Sequence, residues 1–230
     1  MAVIQETVRY PFAAFQDRRD AGRRLAEFIG ARPDPAALVL GVPRGGVPVA
    51  QQLAAALDAP LDLVFTRKLP LPDSPEAGFG AVALDGTVVL NEAMVREWGL
   101  PRDLIDRIVR EVTAELRRRA GEYALTRPAS AIRGKHVYLV DDGLATGYTM
   151  IAAATMVRNQ SPQRLVLAVP VSPAGSIRAV EPHVDELFCL ISQQHPPFAV
   201  ASFYEEFSDL SDAEVRTILS RQPARRAPDK

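Results

Sequence analysis

Short apolar runs recur along this chain at intervals filled by helical patterns, and that alternation limits the folds open to it. ALVLGV at 37–42, LDLVFTRKL at 61–69, VYLV at 137–140, RLVLAVPV at 164–171 and DELFCLIS at 185–192 are continuous apolar stretches set between turn or charged residues. Runs of this kind mark strands buried on both faces, as in parallel sheets. Between them lie helical patterns. Residues 17–29 put Ala21, Leu25, Phe28 and Ile29 on one face, 47–58 tolerate Pro48 in a first turn, and Leu104, Ile108, Val112 and Leu116 recur every four residues over 101–122. Further helices are expected at 92–98, stopped by Gly99, from Thr149 through about Arg158, and around 174–180. Strands alternating with helices imply an α/β fold, with a central, mostly parallel sheet flanked by helices.

Smaller features fill in this outline. Arg18, Arg19, Arg23 and Arg24 lie largely off the apolar face of the first helix and read as a solvated face. Arg117, Arg118 and Arg119 near the end of the long helix suit its dipole. PLPDSPEAGFG at 70–80 is rich in proline and glycine and lacks periodicity, so an exposed loop is expected there. AVALDGTVVL at 81–90 reads as a hairpin with a two-residue turn of positive φ at Asp85-Gly86. Ser211-Asp212-Ala213-Glu214 is a capping box opening a last helix to about Arg221, after which residues 222–230 are expected to fray.

In such sheets ligands sit beyond the carboxyl ends of the strands, so the loops starting at Pro43, Arg67 and Asp141 carry the interest. Asp141 and Asp142 follow a buried strand directly. Two ionised carboxylates cannot enter the core, so they belong at the strand's mouth, where they can accept hydrogen bonds from vicinal hydroxyls or hold a hard cation such as Mg²⁺. Ala145, Thr146, Gly147, Tyr148 and Thr149 come next. Small residues entering a helix let backbone N–H groups converge on one point, with two threonine hydroxyls beside them, which suits a phosphate. A diol binder beside a phosphate binder describes a site for a ribose 5-phosphate. In GVPRGG, Gly45 and Gly46 permit a tight turn with exposed N–H groups and Arg44 adds a charged fork, so a second anion can be held. Arg67 and Lys68 begin the third loop, where two cations could close over a charged ligand.

On these residues the chain resembles the type I phosphoribosyltransferases. VYLVDDGLATGYT is similar to their phosphoribosyl pyrophosphate (PRPP) motif, GVPRGG to the pyrophosphate loop of the purine enzymes, and Arg67-Lys68 with 70–80 to their mobile catalytic loop. The likeness runs from about Ala37 to Ser192, and the whole chain is most similar to bacterial phosphoribosyltransferase-domain proteins. It implies a core at 1–192 with an N-terminal helix and a flexible loop at 68–80, a hood and terminal helix at 193–221, and a disordered tail at 222–230. It implies that Asp141 and Asp142 hold the ribose hydroxyls, partly through Mg²⁺, with Glu205 as a further acid near the metal. Ala145 to Thr149 would clasp the 5-phosphate. Arg44, Gly45 and Gly46 would bind pyrophosphate, with a cis peptide at Arg44-Gly45, and Lys68 with Arg67 would neutralise the departing group. Phe198 and Val200 resemble the base-reading part of the hood, although Phe198 also fits a hydrophobic cluster with Phe203, Tyr204 and Phe207. Ala145 stands where 6-oxopurine enzymes carry an aspartate, which disfavours those bases without naming another.

The activity so implied is Mg²⁺-dependent transfer of 5-phosphoribosyl from PRPP to a nitrogenous acceptor such as a nucleobase, with release of pyrophosphate. The alternative is a PRPP- or nucleotide-sensing regulator on the same fold. A net charge of -1 from 27 basic and 28 acidic residues gives no sign of a nucleic-acid or membrane partner, and the resemblance allows a homodimer. The single cysteine, Cys189, sits in an apolar run and reads as a small core residue. With no basic and apolar leader at the N-terminus, a cytoplasmic protein is expected.

Overall fold

The computed structural model describes residues 1–72, 74–124 and 132–220; the expected fraying at 222–230 and the helix end at Arg221 lie outside them. The apolar runs supply five strands of a six-stranded, all-parallel sheet. Its strands are β1 (Ala2–Val8), β2 (Ala37–Gly41), β3 (Leu61–Leu63), β7 (His136–Val140), β8 (Arg164–Pro173) and β9 (Glu186–Gln193), in the order β1-β9-β8-β7-β2-β3. Val39, Val137, Leu139, Leu165 and Leu167 are fully enclosed, as strands covered on both faces must be. On one face lie α1 (Arg18–Ile29), α2 (Gly46–Ala56) and α7 (Asp212–Ser220), and on the other α5 (Tyr148–Arg158) and α6 (Ala174–Val180), each face with its own apolar cluster. No helix among the described residues is long and apolar enough to cross a membrane.

Helix α1 is capped by Asp17, which accepts from the Asp20 backbone N–H. Two local signals act as expected. The short helix α3 (Glu92–Glu97) ends just before Gly99, whose φ is 57°. Ser211 and Glu214 exchange bonds at the start of α7, Ser211 N–H donating to Glu214 at 2.7 Å and Glu214 N–H to Ser211 Oγ at 3.2 Å.

Other expectations are corrected. LDLVFTRKL is not one strand: β3 stops at Leu63, and β4 (Thr66–Leu71) starts a separate antiparallel sheet with β5 (Ser74–Ala83) and β6 (Val88–Leu90). The proline-rich stretch at 70–80 is therefore largely strand. Pro70 is accommodated because the register shifts there, from Leu69 opposite Gly80 to Pro70 opposite Gly78. That shift leaves Phe79 as the extra residue, fully buried. This small sheet packs Leu69, Leu71, Phe79 and Val82 on the Ile105, Ile108, Val112 and Leu116 stripe of α4 (Arg102–Ala124), a core of its own. The turn at Asp85-Gly86 is longer than two residues. Ala83 N–H donates to Thr87 O at 2.8 Å, the Asp85 carboxylate accepts from Thr87, and only Gly86 has positive φ, at 94°. Because α4 runs on to Ala124, Arg117 to Arg119 fall before its last turn. Lastly, β1 was not anticipated: it is an edge strand in which a short apolar start, Ala2 to Ile4, gives way to exposed Gln5, Glu6 and Thr7.

Candidate active site

Strands β2 and β7 are parallel neighbours, with Gly41 opposite Val140, so the loops that follow them leave the sheet side by side. Their backbones touch. A β-carbon on Gly46 would stand 2.8 Å from Asp141 Cα and from Val140 O, and one on Gly45 would stand 2.0 Å from Asp142 Oδ2. Only glycine at both positions lets the anion loop lie against the paired carboxylates. A cis peptide is present here, but it joins Pro43 to Arg44 rather than Arg44 to Gly45. By Gly45 the backbone is already helical, with φ -61° and ψ -37°, and Gly46 N–H already donates to Val42 O at 3.0 Å.

The carboxylates are not equivalent. Asp142 N–H donates to Asp141 Oδ1 at 2.9 Å, which folds the first side chain back along the loop. Burial, and then the neighbouring Asp142 charge, hold the Asp141 carboxyl well above the usual carboxylate range. Asp142 is charge-paired: Arg18 Nε lies 2.8 Å from its Oδ2, with both side chains largely enclosed. Tyr204 donates its hydroxyl to the Asp142 carbonyl at 2.7 Å. That hydroxyl is pushed well above the usual tyrosine value, first by burial and next by the Asp142 charge.

After these acids the chain enters α5 through Gly147, whose φ of 87° is left-handed, and no side chain caps the helix there. Ala145 and Thr146 are exposed, Thr149 is half-buried, and Ser176 donates to the Ala145 carbonyl from the start of α6. An uncapped helix N-terminus with exposed small residues before it is what a phosphate needs.

Arg44 points toward Asp212 at the start of α7. Its guanidinium is 3.9 Å from Asp212 Oδ1, and Arg119 of α4 is 3.8 Å from the same oxygen. Tyr123 donates its hydroxyl to that oxygen too. The Tyr123 bond, ahead of the two arginines, keeps the Asp212 carboxyl below its ordinary value. In return burial and Asp212 push the Tyr123 hydroxyl up to about 12.

The remaining predicted residues divide. Arg67 is drawn to Glu115 of α4 at 2.6 Å, while Lys68 is exposed on β4, which packs with β5 against α5. Val200 opens a 3-10 turn (Val200–Phe203) and rests against Gly143 beside the carboxylates. Phe198 is half-buried with its ring 5.6 Å from that of Phe203, packed on the core. Glu205 is exposed, and its N–H bonds to Phe15 O at 2.8 Å. Among the described residues no three His, Cys, Asp or Glu side chains gather as a metal group, so Glu205 does not join the aspartates. Cys189 is buried, its thiol pushed up to about 12 by burial, as a core residue would be.

Four residues that the sequence did not single out for the site belong beside it: Arg18, Arg119, Tyr204 and Asp212. Arg18 corrects the solvated-face reading of its helix, since its side chain is only 11% exposed. Its partner lies 124 positions away, so no local pattern marks it. For Asp212 the capping box was visible, but its contacts with Arg44 and Arg119 were not.

Comparison with known proteins agrees with this geometry. Residues 83–204 match the family model for the phosphoribosyl transferase domain. A Mycobacterium tuberculosis H37Rv protein named "Putative phosphoribosyl transferase Rv0571c" is 41% identical over 207 residues, covering 90% of this chain and 46% of the relative. The chain therefore spans about half the length of such relatives. The crystal structure of TT1426 from Thermus thermophilus is 37% identical, covers 91% of this chain and 99% of that one, and superposes with a TM-score of 0.75. With the parallel sheet, the carboxylate pair and the anion loops all present, the chain belongs to the phosphoribosyl transferase domain family.

Proposed function

We propose that this chain transfers the 5-phosphoribosyl group of PRPP to a nitrogenous acceptor of the nucleobase class and releases pyrophosphate. The observation that carries this reading is the contact between two loops, Gly45-Gly46 lying directly on Asp141-Asp142, with an uncapped helix N-terminus after the acids. A diol site, a phosphate site and a pyrophosphate site then follow one another along one donor.

Thr146, Gly147, Tyr148 and Thr149 offer backbone N–H groups and hydroxyls to the 5-phosphate. Asp141 and Asp142 accept from the ribose hydroxyls and orient the ring. Arg44, with the N–H group of Gly45, takes pyrophosphate, Gly46 allowing the close approach although its own N–H is engaged by Val42 O, and Lys68 adds positive charge where the leaving group departs, Arg67 joining it only on release from Glu115. Mg²⁺ fits the donor set, because the ion commonly takes one or two carboxylates and completes its shell with substrate oxygens and water. Asp141 and Asp142 would hold it, and when bound it would withdraw charge from the departing pyrophosphate. Phe198 and Val200 border the space for the acceptor, whose nitrogen attacks C1 as the bond to pyrophosphate lengthens.

The test is pyrophosphate release from PRPP with Mg²⁺ and a panel of bases. Acceleration by one base supports transfer. PRPP binding without turnover on any acceptor supports the alternative, a PRPP- or nucleotide-sensing regulator, which the resting contact between Arg44 and Asp212 also suits. Asp141→Asn with Asp142→Asn should weaken PRPP binding by about 100-fold or more, each lost charge-assisted bond being worth about 1.5–3 kcal/mol. Unchanged affinity in a folded double variant would sink the ribose assignment.

A further inference from the structure

Arg18 sits at the first turn of α1, yet its side chain runs inward to the donor loop. Its Nε donates to Asp142 Oδ2 at 2.8 Å and its Nη1 to Ser208 O at 2.8 Å. Its guanidinium carbon lies 3.7 Å from the centre of the Phe207 ring. Phe207 in turn is 5.0 Å from Tyr204, the residue bonded to the Asp142 carbonyl. The planar fork is therefore fixed by a carboxylate, a carbonyl and an aromatic face at once, which a lysine could not reproduce. One Asp142 oxygen, Oδ2, is thus engaged by a permanent, enclosed cation. The charge of the carboxylate pair is also reduced next to a site meant for a polyanion.

We propose that Arg18 is the positioning residue of the donor site: it orients Asp142 and acts as an internal cation that limits how strongly this carboxylate takes a divalent ion. The inference rests on reading Asp142 as a donor-site carboxylate. It adds that the C-terminal segment 204–208, through Phe207 and Ser208, sets the geometry of a loop more than fifty positions earlier in the chain. A role confined to packing α1 against that segment would leave metal affinity untouched.

Mn²⁺ binding to the PRPP-free protein, followed by electron paramagnetic resonance of the free ion, separates the two. Arg18→Gln should bind Mn²⁺ about ten-fold more tightly than the parent, because an enclosed carboxylate has lost its counter-charge. Adding Asp142→Asn should erase that gain. Arg18→Lys, which keeps the charge but not the fork, should keep Mn²⁺ affinity near the parent value. With PRPP present, Arg18→Gln should raise KM for PRPP about ten-fold while kcat changes much less. Where the Gln variant fails to fold, Arg18→Met retains the apolar stem over Phe207 and serves the same measurement. Unchanged Mn²⁺ affinity in a folded variant, a gain that survives Asp142→Asn, or a Lys variant that behaves as Gln would each overturn the proposal. Because the metal measurement needs neither PRPP nor an acceptor, absence of transferase activity with the Mn²⁺ shift intact would count against the proposed function and leave this inference standing.

Discussion

The two parts of the candidate site are built by different means. One is largely backbone: Gly46 against Val140 and Asp141, with Gly45 on the Asp142 carboxylate, then a left-handed glycine opening α5. The other is assembled from side chains of distant segments, with Arg18 from α1, Tyr204 and Phe207 from the segment before α7, Arg119 and Tyr123 from α4, and Asp212 from α7. Backbone contacts between neighbouring parallel strands are fixed once the sheet forms. The side-chain wall can change in one residue without disturbing the sheet.

That contrast can be attacked from either side. The largest effect is expected on the backbone side. In Gly46→Ala the new methyl would stand 2.8 Å from Asp141 Cα and from Val140 O, both backbone atoms, so something must move. Overpacking of this kind costs about 1–3 kcal/mol, and PRPP affinity measured by calorimetry should fall about 10- to 100-fold. Affinity within two-fold of the parent would mean that the two loops do not act as one surface. On the side-chain wall, Tyr204→Phe removes the bond to the Asp142 carbonyl, worth about 1 kcal/mol, and should raise KM for PRPP about five-fold with little loss of kcat. An effect as large as that of Gly46→Ala would erase the distinction. The smallest change is expected at Asp212→Asn, which removes the carboxylate near Arg44 and Arg119. Pairs this long and this exposed are worth under about 1 kcal/mol, so pyrophosphate should inhibit about two- to five-fold more strongly. Weaker inhibition would show that Asp212 holds Arg44 in place rather than competing for it.

The same division explains what the sequence disclosed. Strands β2, β7, β8 and β9 could be read because a strand buried on both faces must be apolar throughout. The donor loops could be read because glycines and paired acids at a strand end have few other uses. The proline-rich stretch at 70–80 misled because Pro70 sits at a register shift, where a missing N–H does no harm, and the core that pins Phe79 is supplied by α4. Arg18 was invisible for a different reason: on a helix it occupies an ordinary polar position, and only the fold brings Asp142 to it. Edge strand β1 has one neighbour and much solvent, so its composition was free to be polar.

That edge strand also bears on how the chain is made. Ala2 pairs with Leu187 and Val8 with Gln193, so β1 leaves the ribosome long before the strand on which it docks. Until Gln193 has emerged, β1 has no template, and β8 presents an open rim to solvent. Synthesis at about 5–20 residues per second leaves that interval on the order of ten seconds or more. The polar stretch Gln5-Glu6-Thr7, with its charge at Glu6, is what lets β1 wait in water without adhering to a neighbouring nascent chain.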